Sequence, residues 1–168
     1  MTRKDEPFCI LIVDDNREIR TILEEYLREE GYLAEGAGDG KEALTKYGQK
    51  PYDLIITDLN MPGMTGIELI KEIAREENTT EFIIITGYAS LDSAIEAVKA
   101  GAFDYLVKPF RIEELKVVIK NVKDKIMLKK ANKQLFDKLK SFYFEISRYR
   151  KWLDEEQLAH FTEGEPKT

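Results

Sequence analysis

The chain of 168 residues is 43% hydrophobic and 35% charged, which suits one domain of ordinary size with an appendage rather than two full domains. Its single cysteine and single histidine exclude an intramolecular disulfide framework and a multi-histidine metal site, so any metal must be bound by oxygen ligands. Residues 1–110 contain 12 basic and 22 acidic residues, whereas residues 111–168 contain 14 basic and 10 acidic ones, and this asymmetry predicts two parts with different roles.

Five short strands are predicted in the first part of the chain, at residues 8–13, 32–35, 54–56, 82–85 and 103–107. The first, third and fourth are continuously apolar, which is typical of central strands covered on both faces of a parallel sheet. The second and fifth are shorter or more polar, so we expect them nearer the edges.

Helical spacing of apolar residues predicts helices between these strands, at residues 16–30, 41–47, 66–77 and 90–100. A fifth helical pattern begins at residue 111 and continues to about residue 160, with no proline or glycine between Pro109 and Gly164. Strands that alternate with helices predict an α/β fold with a doubly wound parallel sheet and a long C-terminal helical extension.

Polar side chains stand where the predicted strands end. Asp14 and Asp15 end the first strand, Asp58 ends the third, Thr86 the fourth and Lys108 the fifth. Because the carboxyl ends of parallel strands meet at one edge of a sheet, these side chains should converge. Three carboxylates packed together repel each other unless a cation compensates, and a hard divalent ion such as Mg²⁺ suits oxygen ligands.

Four motifs at these strand ends together resemble the receiver domain of bacterial two-component response regulators. They are Asp14-Asp15, Asp58-Leu59-Asn60-Met61-Pro62-Gly63, Thr86-Gly87-Tyr88 and Asp104-Tyr105-Leu106-Val107-Lys108-Pro109-Phe110. The resemblance covers roughly residues 7–125 and implies a flavodoxin-like (βα)5 fold. We therefore expect a receiver domain at residues 1–125 and a helical tail at residues 126–168.

The resemblance implies that Asp58 accepts a phosphoryl group from a sensor histidine kinase or a phosphotransfer protein in a Mg²⁺-dependent reaction. The implied metal ligands are Asp14, Asp15, Asp58 and the backbone carbonyl of Asn60. Lys108 and Thr86 would contact phosphoryl oxygens. Such a protein is not an enzyme with a separate substrate, because it catalyses phosphoryl transfer to its own aspartate and hydrolysis from it.

The resemblance also implies a switch and a special peptide bond. Thr86 and Tyr105 occupy the positions that move together on phosphorylation, and the bond between Lys108 and Pro109 occupies the position of a cis peptide. A simpler interpretation remains open for the first motif, since an aspartate there, or Asn16, could cap the following helix.

The tail carries a second apolar pattern that differs from the face of an ordinary packed helix. Apolar residues and one asparagine recur at alternating spacings of four and three at Leu128, Asn132, Leu135, Leu139, Phe142, Ile146, Tyr149 and Leu153. This is the heptad pattern of a coiled coil, with Asn132 at an a position and with Glu145 and Arg150 at flanking g and e positions. We expect a homodimer through the C-terminal helix, with a helical hairpin folded back on the receiver, or a larger bundle, as alternatives.

Two other functions are compatible with this sequence. A phosphorylation-independent scaffold on the same fold stays open. Residues 111–152 contain 13 basic and 5 acidic residues interleaved with aromatics, which leaves binding of nucleic acid or a membrane surface as an alternative, although no recognition motif is present and nucleic acid is not the expected partner. No apolar run reaches the roughly 20 residues that span a bilayer, and no secretory signal is recognisable. A cytoplasmic protein is therefore expected.

Overall fold

The structure is a computed structural model that describes residues 7–75 and 79–162, with side-chain environments as far as residue 155. It contains five strands: β1 (Cys9–Val13), β2 (Leu33–Ala37), β3 (Leu54–Asp58), β4 (Glu81–Thr86) and β5 (Asp104–Val107). The helices that alternate with them are α1 (Arg17–Glu29), α2 (Gly40–Gln49), α3 (Gly66–Ile73), α4 (Leu91–Ala100) and α5 (Ile112–Thr162).

All neighbouring strands pair in parallel, in the order β2-β1-β3-β4-β5. Helices α2, α3 and α4 contribute to the apolar cluster on one face of the sheet, and α1 and α5 contribute to the cluster on the other face. The predicted fold class, a doubly wound parallel α/β sheet with a long C-terminal helix, is confirmed. The prediction that the second and fifth strands lie at the edges is also correct.

Both faces of the central strands are buried because successive side chains point to opposite faces. In β1, Leu11 and Val13 belong to one apolar cluster, whereas Ile10 and Ile12 belong to the other. The same alternation holds in β3 and β4, which explains why these segments are continuously apolar rather than alternating.

Most element bounds differ from the prediction by one or two residues, and α3 ends four residues earlier than predicted. Two of these differences have a visible cause. Strand β2 extends to Ala37, because Gly36 and Ala37 continue the parallel pairing with Ile12 and Val13. Helix α3 ends at Ile73, the last of its buried residues, and Ala74 forms its C-cap. Beyond that point no apolar side chain remains to hold the helix on the sheet, and the predicted end of the helix falls on residues 76–78, outside the described part of the chain.

Helix α5 is continuous from Ile112 to Thr162, so a hairpin with a break in this helix is not found. Its residues Leu115, Val118, Ile119, Val122 and Ile126 are buried in the receiver core. The chain divides into two compact units, Met1–Ile126 and Met127–Thr168. Across residues 7–75 and 79–162, no helix combines the length and the apolar character that a bilayer crossing requires.

A buried carboxylate ties the end of the packed part of α5 to the sheet. Glu81 begins β4 and its side chain is only 5% exposed, and the Lys125 ammonium lies 2.8 Å from its Oε2 atom. Lys125 also lies 5.1 Å from the centre of the Phe103 ring. Because a buried charge is costly without a partner, this ion pair should contribute more to stability than exposed pairs do.

Replacement of Lys125 by methionine tests this ion pair. Lys125→Met removes the ammonium beside the buried Glu81, and we expect the free energy of unfolding to fall by about 1–3 kcal/mol. Lys116→Met is the matched control on the same helix, since Lys116 pairs with the more exposed Glu30 and its replacement should cost less stability than Lys125→Met. Urea denaturation measures the free energy of unfolding of both variants. Equal losses of stability would contradict the larger contribution assigned to the Lys125–Glu81 ion pair.

Candidate functional site

Three carboxylates meet at the carboxyl edge of the sheet. Strands β1 and β3 pair directly, with Val13 opposite Thr57. Asp14 and Asp58 come directly after these two residues, so they are neighbours at the carboxyl ends of adjacent strands. One carboxylate oxygen from each of Asp14, Asp15 and Asp58 lies within 4.8 Å of the other two. The Asp14 side chain is buried, that of Asp58 is largely buried, and Asp15 is exposed to solvent.

The Lys108 ammonium enters this cluster from the end of β5. Its Nζ atom lies 2.8 Å from Oδ2 of Asp14 and 3.5 Å from Oδ2 of Asp58. The Lys108 backbone N–H donates to the carbonyl oxygen of Thr86 at 2.8 Å, and the bond to Pro109 is cis. The Lys108 ammonium thus pairs with two of the three carboxylates, so these four side chains together carry a net negative charge.

The surroundings of Asp58 change its proton affinity. Burial raises the pKa of Asp58 above its ordinary value, and the neighbouring Asp14 carboxylate raises it further. The Lys108 ammonium and the backbone N–H groups of Asn60 and Leu59 act in the opposite direction. The net rise shows that this carboxylate is not fully compensated, so an added cation would lower the free energy of its ionised form.

The aspartates of the first motif are not the cap of α1. Asn16 is the N-cap, and its side-chain oxygen accepts from the backbone N–H groups of Glu18 and Ile19. Asp14 contributes differently, since its Oδ1 atom accepts from the Asn16 backbone N–H at 2.8 Å. Asp15 is therefore left facing solvent beside the cluster, where it could coordinate an ion.

The two residues expected to act as a switch lie in different surroundings. Thr86 is fully buried at the end of β4, where its Oγ1 atom accepts from the Tyr88 backbone N–H at 3.1 Å. Tyr105 is partly buried, and its hydroxyl lies 2.8 Å from Oγ of Ser93 at the start of α4. Sequence reasoning missed Ser93, because nothing in the local pattern connects it with a tyrosine twelve residues later.

The loop after Asp58 depends on a glycine that sequence reasoning also missed. The Gly66 backbone N–H donates to the Leu59 carbonyl oxygen at 2.9 Å and closes the loop that contains Asn60. A Cβ atom on Gly66 would overlap with the backbone carbonyl of Asp58. Helix α3 can therefore begin so close to the acidic cluster only because residue 66 has no side chain.

The cluster fits a magnesium ion. Its donors are carboxylate oxygens, the exposed residue Asn60 follows Asp58 by two positions, and hard divalent ions prefer oxygen. An open, solvent-facing side at Asp15 would leave room for the water molecules that Mg²⁺ usually retains. The tail residues singled out by the heptad pattern belong to the second unit and are not part of this cluster.

Comparison with known proteins identifies the family. Residues 10–120 match the family model described as the response regulator receiver domain. This match covers more than half of the chain, so the chain belongs to the receiver domain family of two-component response regulators. The resemblance noted from the sequence motifs is confirmed.

Curated relatives include regulators that are much longer than this chain. The transcriptional regulatory protein ZraR of Klebsiella oxytoca is 42% identical over 114 residues, which cover 68% of this chain and 26% of ZraR. The regulatory protein AtoC of Escherichia coli K12 is 35% identical over 130 residues, which cover 77% of this chain and 28% of AtoC. The chain therefore spans about a quarter of the length of these two relatives.

Solved structures confirm the fold. The response regulator protein TrrA from Thermotoga maritima, in complex with Mg²⁺ and BeF, is 39% identical with a TM-score of 0.63. The alignment covers 68% of this chain and 98% of TrrA. A receiver domain protein from Clostridium thermocellum aligns with a TM-score of 0.68 and 32% identity over 72% of this chain and 98% of that one.

The role of Gly66 can be tested by adding one methyl group. Gly66→Ala places a Cβ atom against the Asp58 carbonyl, so we expect the free energy of unfolding to fall by about 1–3 kcal/mol and Mg²⁺ affinity to fall with it. Gly48→Ala in α2 is the control, because its Cβ atom meets nothing within 4 Å and alanine favours a helix. Thermal denaturation and Mg²⁺ titration measure both variants, and full Mg²⁺ affinity in Gly66→Ala would contradict the prediction.

A pH dependence follows from the raised pKa of Asp58. A carboxyl group with a raised folded-state pKa binds its proton more strongly in the folded protein than in the unfolded chain, so its ionised form lowers stability above that pKa. In metal-free buffer, Asp58→Asn should therefore raise the free energy of unfolding at pH 7. The gain should shrink as the pH falls through the folded-state pKa and vanish below the ordinary aspartate pKa.

The control for this experiment is Asp92→Asn, which removes an aspartate from the exposed surface of α4. It should give no comparable gain at pH 7. Urea denaturation of the wild type and both variants across the pH series measures these differences in the free energy of unfolding. A loss of stability in Asp58→Asn at pH 7 would show that burial does not disfavour the Asp58 charge.

Proposed function

We propose that this receiver domain accepts a phosphoryl group on Asp58 from a sensor histidine kinase or a phosphotransfer protein, in the cytoplasm and in a Mg²⁺-dependent reaction. The observation that carries the proposal is the position of Lys108, whose ammonium lies within 3.5 Å of both Asp14 and Asp58 in an acidic cluster. Phosphoryl transfer depends mainly on positioning and on neutralisation of charge, and this arrangement supplies both.

The proposed reaction is a displacement at phosphorus. A carboxylate oxygen of Asp58 attacks the phosphorus of a phosphohistidine, and a P–O bond forms as the P–N bond breaks. The electron pair of the P–N bond remains on the imidazole nitrogen, which takes a proton from solvent. Hydrolysis later breaks the acyl phosphate by attack of water, which returns inorganic phosphate and the Asp58 carboxylate.

The chain's own residues hold distinct positions in this reaction. Asp58 is the nucleophile, while Lys108 would bind a phosphoryl oxygen as a fixed positive charge and the Thr86 hydroxyl would donate to another. The Mg²⁺ ion would be held by Asp14, Asp15, Asp58 and the carbonyl of Asn60. When bound, it neutralises charge on the transferred group. No separate substrate is turned over, so the protein is a signalling component rather than an enzyme.

A groove beside the site suits the phosphodonor. It is formed by the exposed side of α1 and by the segment that follows Lys108, and its apolar lining consists of Ile19, Ile22, Leu23, Pro109, Phe110 and Ile112. Helix α1 is the most amphipathic helix of the receiver unit, so its apolar residues would be expected to face the core. Ile22 is nevertheless 56% exposed. An apolar surface next to the reactive carboxylate is where a helix that carries a phosphohistidine could dock.

The proposed output begins at Thr86 and Tyr105. A phosphoryl group on Asp58 would attract the Thr86 hydroxyl, and the space vacated by the Thr86 side chain would admit the Tyr105 ring. Tyr105 could move only if its hydrogen bond to Ser93 breaks. This hydrogen bond joins β5 to the first turn of α4, so the change would reach the surface formed by α4, β5 and α5.

The tail is proposed to form a homodimer. Its heptad residues Leu128, Asn132, Leu135, Leu139, Phe142, Ile146, Tyr149 and Leu153 are all exposed in the single chain. A stripe of this length is buried when a second helix covers it, which supports a coiled coil between two copies. Nucleic acid is not the proposed partner, since basic residues are common on the outer positions of a coiled coil.

Phosphorylation of Asp58 is the decisive experiment for the receiver function. The full chain is incubated with acetyl phosphate and Mg²⁺, and intact-mass spectrometry follows the addition of one phosphoryl group. We expect the wild type and Asp92→Asn to be labelled, and Asp58→Asn to remain unlabelled. Removal of Mg²⁺ by a chelator should abolish labelling of the wild type, because the excess negative charge around Asp58 would then repel the donor.

The alternative is a phosphorylation-independent scaffold, and the same experiment separates the two functions. Absence of label on the wild type with Mg²⁺ present would favour the scaffold. Beryllofluoride provides an independent check, since it should quench or shift the fluorescence of aromatic residues only where Asp58 is intact.

A further inference from the structure

We propose that two copies of this chain pair their tails as a parallel, in-register coiled coil over residues 128–153. The proposal rests on the tail homodimer proposed above and adds its orientation. The apolar a and d side chains of this segment are between 51% and 65% exposed in the single chain. Residues 128–153 cover nearly four heptads, which is the length at which a heptad pattern begins to indicate a stable coiled coil.

The heptad seam alone does not decide the orientation. In a parallel pair, each seam residue meets the same residue of the second copy. In an antiparallel pair the same eight positions also interlock, for instance with Leu139 against Phe142 and with Asn132 against Tyr149. The apolar area buried is therefore similar, and the flanking e and g residues must determine the orientation.

The parallel alignment gives only favourable flanking contacts. Each g residue lies beside the e residue five positions later in the second copy, so Glu145 faces Arg150 of the second copy. Lys138 faces Tyr143 of the second copy, where an ammonium can lie over an aromatic ring. The two-fold symmetry of the pair doubles both contacts, and no like charges oppose each other within residues 128–153.

The antiparallel alignment brings like charges together. In that arrangement Lys138 faces Glu145 of the second copy, which is favourable, but Lys129 faces Arg150 of the second copy. The two-fold symmetry of the pair repeats both contacts, so the repulsion between Lys129 and Arg150 cancels the attraction between Lys138 and Glu145. The charge pattern of the tail therefore favours the parallel pair.

Asn132 favours the same orientation. In the parallel pair, the two Asn132 side chains occupy one layer, where the amide N–H of one can donate to the amide oxygen of the other. An asparagine at an a position is satisfied in this way only when the helices are in register, since any shift would bury its amide against an apolar layer. A slip of one heptad, for example, would place Asn132 opposite Leu139.

Cysteine cross-linking of the full chain measures the orientation directly. In a Cys9→Ser background, Leu128→Cys and Leu153→Cys are made as separate proteins. A parallel, in-register pair should form a covalent dimer with either protein alone in a glutathione redox buffer. The proposal is overturned if neither protein cross-links alone and a covalent dimer forms only when the two proteins are mixed, because that result requires antiparallel helices.

Charge variants give a second test with opposite signs for the two orientations. In the parallel pair, Arg150→Glu places two glutamates opposite each other and should weaken dimerisation about tenfold, and adding Glu145→Arg should restore it. In the antiparallel pair, Arg150→Glu would instead remove the repulsion with Lys129 and strengthen dimerisation. Concentration-dependent light scattering measures the dissociation constant.

Light scattering on the wild type, with Mg²⁺ alone and with beryllofluoride added, distinguishes failure of the tail dimer from failure of the receiver function. A monomer in both conditions would overturn the tail dimer together with its orientation, while labelling of Asp58 by acetyl phosphate would be unaffected. A dimer in either condition supports the tail pairing, and cross-linking in that condition then determines its direction.

Discussion

The ammonium of Lys108 and the carboxylates of Asp14 and Asp58 form the contact around which the receiver unit is organised. These groups stand at the ends of β5, β1 and β3, whose carboxyl ends lie at the same edge of the parallel sheet. The apolar residues on both faces of the sheet give that edge its rigidity. Charge repulsion within the cluster opposes folding, and the two large apolar clusters outweigh it.

Support for this edge comes from residues without reactive groups. Asn16 caps α1 and so leaves the aspartates of the first motif free to face the cluster. Gly66 allows α3 to begin against the backbone of Asp58, and its N–H closes the loop that carries Asn60. The reactive geometry therefore depends on backbone positions as much as on the charged side chains.

Much of this architecture could be predicted from local pattern. Continuous apolar runs indicated the central strands, and polar residues at the strand ends predicted the cluster of Asp14, Asp58 and Lys108 because parallel strands end at one edge. The contact between Ser93 and Tyr105 could not be predicted, since it depends on the distance between a helix and a strand. The end of α3 was also missed, because helical spacing does not show where packing against the sheet stops. For the tail, the heptad pattern indicated a coiled coil but left its direction to the flanking charges.

Ser93 has a double use that links two parts of the receiver unit. Ser93 is the N3 residue of the capping box of α4, and its hydroxyl contacts the backbone and the side chain of the N-cap residue Ser90. The same hydroxyl also contacts the Tyr105 hydroxyl. A serine oxygen has two lone pairs and one hydrogen, so these contacts compete. If the Tyr105 ring turned away, the oxygen would be released to the cap, and fraying of the first turn of α4 would decrease. The order of that turn, and the protection of its amides from exchange, would then report on the position of the tyrosine.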